Sequence, residues 1–277
     1  MIGNQYKQDQ QKKKQVLIKQ LKLIEKQERK LMKNQDPSFL MSKIHPVMEK
    51  LQDKVPDKLK DTLDKAFYKG FQLVFDKGGS YIEKTYRKDK LRLEYDINNY
   101  GVEKYGSRRL IKKLDQQSGK TNLINSSFAV LEGGVLGFLG IGLPDIPLFI
   151  AVIIRSLNEL ALSYGFDYER PEEKNYLLLL ICGALTRDRL QQDYSEEADT
   201  MGAKLDAGIA SEAGDRDYVR ETADLLSDTL LTAKFIQGIP FLGVIGGAVN
   251  HSVLRQINRY ARLKYKKRYL QNKLRIL

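Results

Sequence analysis

Tryptophan is absent from this 277-residue chain, cysteine occurs once, histidine twice and proline seven times, and no Asp or Glu follows Asp228. A single cysteine excludes an internal disulfide and a cysteine-rich zinc site. Cys182 sits in the apolar run LLLLICGAL, where a buried thiol in a reducing cytosolic compartment is expected. His45 and His251 are far apart, and neither has a histidine or cysteine at metal-ligand spacing, so no metal and no cofactor is expected. There is no G-x-S-x-G elbow and no H-E-x-x-H. The stretch QQSGKT at residues 116–121 imitates the end of a phosphate loop, but Leu114 stands where that loop needs a glycine and the flanks read as helix. The basic residues near the start are followed by leucines that Lys19, Lys22 and Lys26 interrupt, which predicts no secretory signal.

What is present favours helices: little proline and many Leu, Lys, Gln and Glu, in a chain long enough to bury a full core. Charge is laid out in blocks. Residues 1–127 carry 29 Lys/Arg against 16 Asp/Glu, residues 128–233 carry 8 against 19, and residues 234–277 carry 10 against none. Basic ends around an acidic middle would attract anionic lipid or nucleic acid, or would attract each other within one fold. Composition alone leaves these open.

From Lys12 to Lys33, Leu17, Leu21, Ile24, Leu31 and Met32 fall near helical spacing on a basic background, predicting an amphipathic helical arm that ends near Asp36-Pro37. The division expected is a basic extension over 1–36 and a helical domain over 37–277. Two short helices are predicted over 39–76, split at Val55-Pro56-Asp57 and ended by Gly78-Gly79-Ser80. Further helices follow through Tyr81, Arg87, Leu91 and Tyr95, and from Ile97 to Leu114 with a break at Gly101 or Gly106.

Two apolar, glycine-punctuated runs stand out, Phe128 to Ile154 and Phe235 to Val249. The first is long enough to span a bilayer, which takes about 20 apolar residues, but Pro144-Asp145-Ile146-Pro147 interrupts it. A central Asp costs about 2.5–3.5 kcal/mol on insertion. It therefore predicts a helical hairpin, with Phe128 to Leu139 as the first arm and Asp145 capping the second, Pro147 in its first turn. Gly133, Gly137 and Gly140 would let helices approach closely, and Gly243, Gly246 and Gly247 repeat the device. These runs are either the buried centre of a helical domain or elements that lie against a membrane.

Gly165 predicts a helix end, Pro171 a helix start, and the acidic cluster around Asp188, Asp193, Glu196, Glu197 and Asp199 a solvated face rather than a metal site. The last segment, from Ser252, interleaves an apolar stripe with basic residues, and Lys264, Lys266, Lys267 and Arg268 are the candidate contacts for anionic headgroups. Arg155 and Glu159, four residues apart, can pair on one helix face. With Asp145 and His251 they form the candidate buried polar site of an alternative, hydrolase-like enzyme.

The order of LPDIP, IIRSLNELALSYGFD, PEEKNYLLLLICGAL and GIPFLGVIGGAVNHSVL resembles the EcsC protein family, with Asp145, Pro147, Arg155, Tyr164, Gly165, Pro240, Gly247 and Asn250 at the pattern's positions. The resemblance runs over roughly residues 40 to 270 and leaves the basic arm outside. It implies no agreed biochemical activity and supplies no catalytic residues. The family's founding member is encoded beside the ATPase and membrane subunits of an ABC-type transporter, which implies a membrane-linked accessory role. The expectation is thus an all-α cytoplasmic protein, peripheral at the inner face of an anionic membrane, with a transporter as a further partner and no nucleic acid.

Overall fold

A computed structural model describes residues 2–33, 57–120, 145–209, 216–237 and 247–277, and the architecture below is that of these residues. They form α-helices in this order: α1 (Ile2–Lys33), α2 (Asp57–Leu73), a π-helical turn (Val74–Gly78), α3 (Gly79–Lys84), α4 (Lys88–Tyr105), α5 (Arg108–Lys120), α6 (Asp145–Ser163), α7 (Pro171–Leu185), α8 (Asp188–Asp206), α9 (Tyr218–Gln237) and α10 (Gly247–Arg275). The fold is all-α, as the periodicity predicts.

Local chemistry sets most of the boundaries. Gly106 adopts φ +56° and closes α4, its N–H donating to the Val102 carbonyl. Of the two glycines expected to break this region, it is therefore the later one that does so. Gly165, at φ +81°, ends α6 in a Schellman arrangement: Phe166 N–H donates to the Ala161 carbonyl and Gly165 N–H to that of Leu162. Pro171 opens α7, where its missing N–H costs nothing. Gly78-Gly79 does not end its helix as expected. Both glycines keep right-handed helical angles, the chain widens into the π turn, and buried Val74 and Ile82 carry it on to Lys84.

Two helices form the centre. The 18-residue stretch Ile146–Ser163 of α6 is long and apolar enough to cross a membrane, yet 94% of it is buried inside the fold, against α2, α4, α5 and α10. On α7, Tyr176 through Leu185 is buried without interruption among α8, α9 and α10. A helix that is apolar all round needs partners all round, and these two have them. α10 touches both, and it also carries α1.

The N-terminal helix is not a free arm. Leu17 and Ile24 are buried and α1 lies along α10 and α8. Its hydrophobic stripe is thin because only the side facing α10 and α8 is covered. The expected boundary near residue 36 and the first arm of the hairpin (128–139) lie outside the described residues. α6 covers the stretch expected for the second arm; Asp145, expected as its cap, is its first residue, and Pro147 lies in its first turn.

Candidate functional site

The four cations expected to face headgroups point inward. Lys264 is 1% exposed and Arg268 4%, with Lys266 also buried. Lys264 Nζ pairs with Glu28 of α1, donates to Asp199 Oδ1 at 2.9 Å, and meets both the carbonyl (2.9 Å) and hydroxyl (2.5 Å) oxygens of Ser195 on α8. Lys267 bridges the same two acids, Glu28 at 2.8 Å and Asp199 at 2.5 Å. Arg268 holds Glu173 of α7 (2.8 and 3.0 Å) and Asp206 of α8 (2.7 to 2.9 Å), with its guanidinium 4.1 Å from the Phe166 ring centre and 4.8 Å from that of Tyr176. On the other side, Lys266 (2.9 Å) and Arg262 (3.0 Å) share Asp115 of α5, which also accepts from the Tyr164 hydroxyl at 2.8 Å.

Five cations of α10 thus meet five carboxylates drawn from α1, α5, α7 and α8. The C-terminal basic block and part of the acidic middle compensate each other internally. A headgroup contact through Lys264, Lys266, Lys267 and Arg268 does not fit this fold, because the periodicity that places them on a helix leaves them under α1 and α8. Sequence reasoning missed their partners. The signal present was the opposition of the charge blocks, which allows internal compensation without naming the partners.

These groups set the response to acid. Burial would raise Asp115, but Lys266 and Arg262 override it and hold the carboxyl below its ordinary 3.8. Glu28 follows the same pattern: burial opposed and outweighed by Lys264 and Lys267, leaving it below 4.5. A carboxylate with a depressed folded pKa contributes stability that is complete above the unfolded value and disappears as pH falls through the folded one. We expect the urea midpoint to fall as pH drops below about 4.5, and Asp115→Asn to flatten that fall while lowering the neutral plateau. An unaltered acid limb in Asp115→Asn would remove Asp115 from this account.

The alternative site is assembled only in part. Arg155 and Glu159 do pair, Nε to Oε1 at 2.8 Å, both buried on α6. Burial raises Glu159 despite the neighbouring Arg155. Asp145 belongs to the same continuous helix, ten residues before Arg155, and the helical rise of 1.5 Å puts about 15 Å of axis between them. The constellation therefore does not close on that residue. His251, half-buried on α10, makes no hydrogen bond or ion pair to Arg155 or Glu159.

α6 also borders a cavity of about 130 Å³ through Ile154 and Asn158, with Glu83, Tyr168, Glu169 and Lys174 and with Val74, Phe75 and Gly79 at the π turn; neither Arg155 nor Glu159 is in its lining. Tyr86 donates to the Tyr168 hydroxyl at 2.5 Å and Tyr168 to Glu83 at 3.0 Å, while Lys88 holds Glu169 at 2.7 Å. Arg155 Nη1 and Asn158 Oδ1 are buried without a hydrogen-bond partner. Volume of that size suits about four waters. Among the described residues no group of His, Cys, Asp and Glu could hold a metal ion. Cys182 is no nucleophile: burial pushes its thiol up to about 12, and it contacts Thr222 at 3.2 Å.

The profile of the EcsC protein family matches residues 18–270. The match begins inside α1, earlier than the motifs suggested, where Ile24 and Glu28 join the fold. The chain is 26% identical over 150 residues to the uncharacterised protein YdbA of Bacillus subtilis (strain 168), covering 53% of this chain and 54% of that one. It is 25% identical over 167 residues to Protein EcsC of the same organism, covering 58% and 66%. The chain spans less than two thirds of the length of either relative. No solved structure matches it.

Proposed function

This chain belongs to the EcsC protein family, and from that premise we propose that it is a cytoplasmic accessory protein docking peripherally on the inner, anionic face of a membrane. The observation that supports this is the outward face of α1. Lys7, Lys12, Lys14, Lys19, Lys22, Lys26, Arg29 and Lys30 are exposed along it, with Asp9 as the exposed acid. None of the eight joins an ion pair with another described residue, in contrast to the cations of α10. The helix is fixed from beneath by Leu17, Ile24 and Glu28, so its charge is presented as a rigid row.

Each Lys or Arg near an anionic leaflet contributes about 1 kcal/mol. Sedimentation of the full chain with phosphatidylcholine vesicles, with and without phosphatidylserine, should therefore give binding that needs the anionic lipid and weakens in salt. Lys12, Lys14, Lys19 and Lys22 changed together to Glu should lower it by more than about a hundredfold. The burial of α6 supports a peripheral mode, so a carbonate wash should release the protein. Retention after the wash would replace peripheral docking by insertion, and no binding at all would end the proposal. An accessory protein held this way could meet the membrane subunits of an ABC-type transporter laterally, which is the partner class the family resemblance suggests.

A second function, a hydrolase with Glu159 as its acid or base, is favoured by the buried Arg155–Glu159 pair and the unpaired atoms at Arg155 Nη1 and Asn158 Oδ1. Turnover of model esters that disappears in Glu159→Gln, while the variant stays folded, would support it; no turnover by the wild type would remove it.

A further inference from the structure

Four of the largest exposed apolar side chains lie on one helix. On α4, Leu93 is 59% exposed, Ile97 60%, Tyr100 61% and Tyr105 64%. Leu93, Ile97, Tyr100 and Lys104 follow one another at spacings of four, three and four, which puts them on a single face. The opposite face, with Leu91, Tyr95, Asn98 and Val102, turns to the core: Tyr95 packs edge-on to Tyr269 of α10, 6.3 Å between centroids. A helix that is apolar on two opposed faces has two partners, and α10 and α6 account for one of them.

The surroundings say what the second is. Lys104 Nζ stands 5.5 Å from the ring centres of both Tyr100 and Tyr105, placing an ammonium at the tip of an aromatic pair. Beyond Gly106, the outward face of α5 carries Arg108, Arg109, Lys112 and Lys113, all exposed. α1 meets the same corner. Lys13 Nζ donates to the Glu103 carbonyl at 2.9 Å, and a Cβ on Gly106 would lie 3.2 Å from the Lys13 Cα, so the two backbones are in contact. Glu103 is occupied by Lys273 of α10. Asp89 and Asp96 are exposed on the N-terminal half of α4, so the cationic environment belongs to the Tyr100–Tyr105 end.

We infer that this outward face of α4, Leu93, Ile97 and Tyr100, is the apolar part of the docking surface and lies among the headgroups of an anionic leaflet, with Tyr105 at the helix end beside it and Lys104 and the α5 cations on the phosphates. The inference rests on the membrane docking proposed above and names its place in the molecule. Aromatic side chains with a lysine beside them, next to a basic surface, are the chemistry of an interfacial contact. A second copy of the chain is disfavoured as occupant, because it would bring the same unpaired cations against these.

The chain's lack of tryptophan gives the test its probe. Ile97→Trp and, as a control on another exposed apolar position, Leu190→Trp are titrated with phosphatidylcholine vesicles with and without phosphatidylserine. Emission from Ile97→Trp should shift to the blue with the anionic vesicles alone, while that of Leu190→Trp stays put. Leu93→Glu with Ile97→Glu should lower sedimentation with the anionic vesicles by at least about tenfold, with an unchanged far-UV spectrum. Sedimentation of the wild type with no shift at position 97 and no loss in the glutamate variant would overturn this face while leaving membrane docking in place. A wild type that does not sediment would overturn both. A blue shift without lipid that grows with protein concentration would give the face to a second copy and likewise overturn the inference.

Discussion

Arg268→Ala is expected to cost about 3–5 kcal/mol of unfolding free energy. The guanidinium is enclosed on all sides: Glu173 and Asp206 in its plane, and the rings of Phe166 and Tyr176 about its faces. Removing it leaves Glu173, itself 2% exposed, with the Tyr265 hydroxyl at 3.0 Å as its remaining partner and Asp206 nearby. Burial already raises the Glu173 carboxyl even with Arg268 present. Without the cation it takes up a proton more readily, and the loss should shrink as the buffer is made acidic. Arg268→Met with Glu173→Gln and Asp206→Asn should recover much of the stability, because the cost lies in the unpaired buried charges rather than in the absence of the pairs. Urea denaturation of the three proteins decides it; a loss under about 1 kcal/mol in Arg268→Ala would mean that the charges relax to solvent.

The same network shows what the sequence can and cannot carry. The blocks of charge are visible by counting, and so is the possibility that they attract each other. Which carboxylate meets which cation is not visible, because Glu28 and Lys267 are 239 positions apart and are joined only by the docking of α1 on α10. A basic helix bound to lipid and one bound to acids of its own fold have the same periodicity. Tyrosines between the cations do not separate the two, because they pack in a core as at Tyr260, Tyr265 and Tyr269 and suit a headgroup contact equally. In α4 the spacing of Leu91 and Tyr95 marks the face that the fold turns to the core, whereas the exposure of Leu93, Ile97 and Tyr100 on the opposite face is visible only in the fold.

Secondary structure was more legible because its causes are local. Gly165 and Pro171 act through their own dihedral angles and hydrogen bonds, so the end of α6 and the start of α7 follow from single residues. The pairing of Arg155 with Glu159 is of the same kind, fixed by one turn of helix. Gly78-Gly79 misleads because glycine permits a turn without requiring one, and tertiary contacts at Val74 and Ile82 hold the helical path. Asp145 and Arg155 have the residue types of an acid/base site, but type alone does not bring them together. A straight helix separates them for the same geometric reason that it joins Arg155 to Glu159.

Glycine also provides the second large effect, Gly183→Val, expected to destabilise the fold by about 3 kcal/mol. Gly183 receives the ring end of Tyr260 from α10: a Cβ there would lie 2.5 Å from the Tyr260 hydroxyl oxygen, 2.8 Å from Cζ and 2.9 Å from Cε1. Tyr260 is buried and its ring is rigid, so the clash cannot be relieved by swinging the side chain into solvent. The flanking Cys182 and Ala184 are small as well, and α10 uses the space, with Gln256 donating to the Ala184 carbonyl at 2.5 Å. Tyr260→Phe should not rescue Gly183→Val, since the ring carbons remain in the way, whereas the shorter side chain of Tyr260→Leu should restore part of the loss. A double-mutant cycle would then show a coupling of about 0.5–3 kcal/mol between the two positions. Gly101→Ala supplies the contrast. On α4 its Cβ would meet Leu110 at an acceptable 3.4 Å, so the substitution should be neutral or stabilise by about 0.4–1 kcal/mol through the unfolded chain. Two helical glycines with opposite responses would assign the cost at position 183 to the α7–α10 crossing; equal responses would return it to helix propensity.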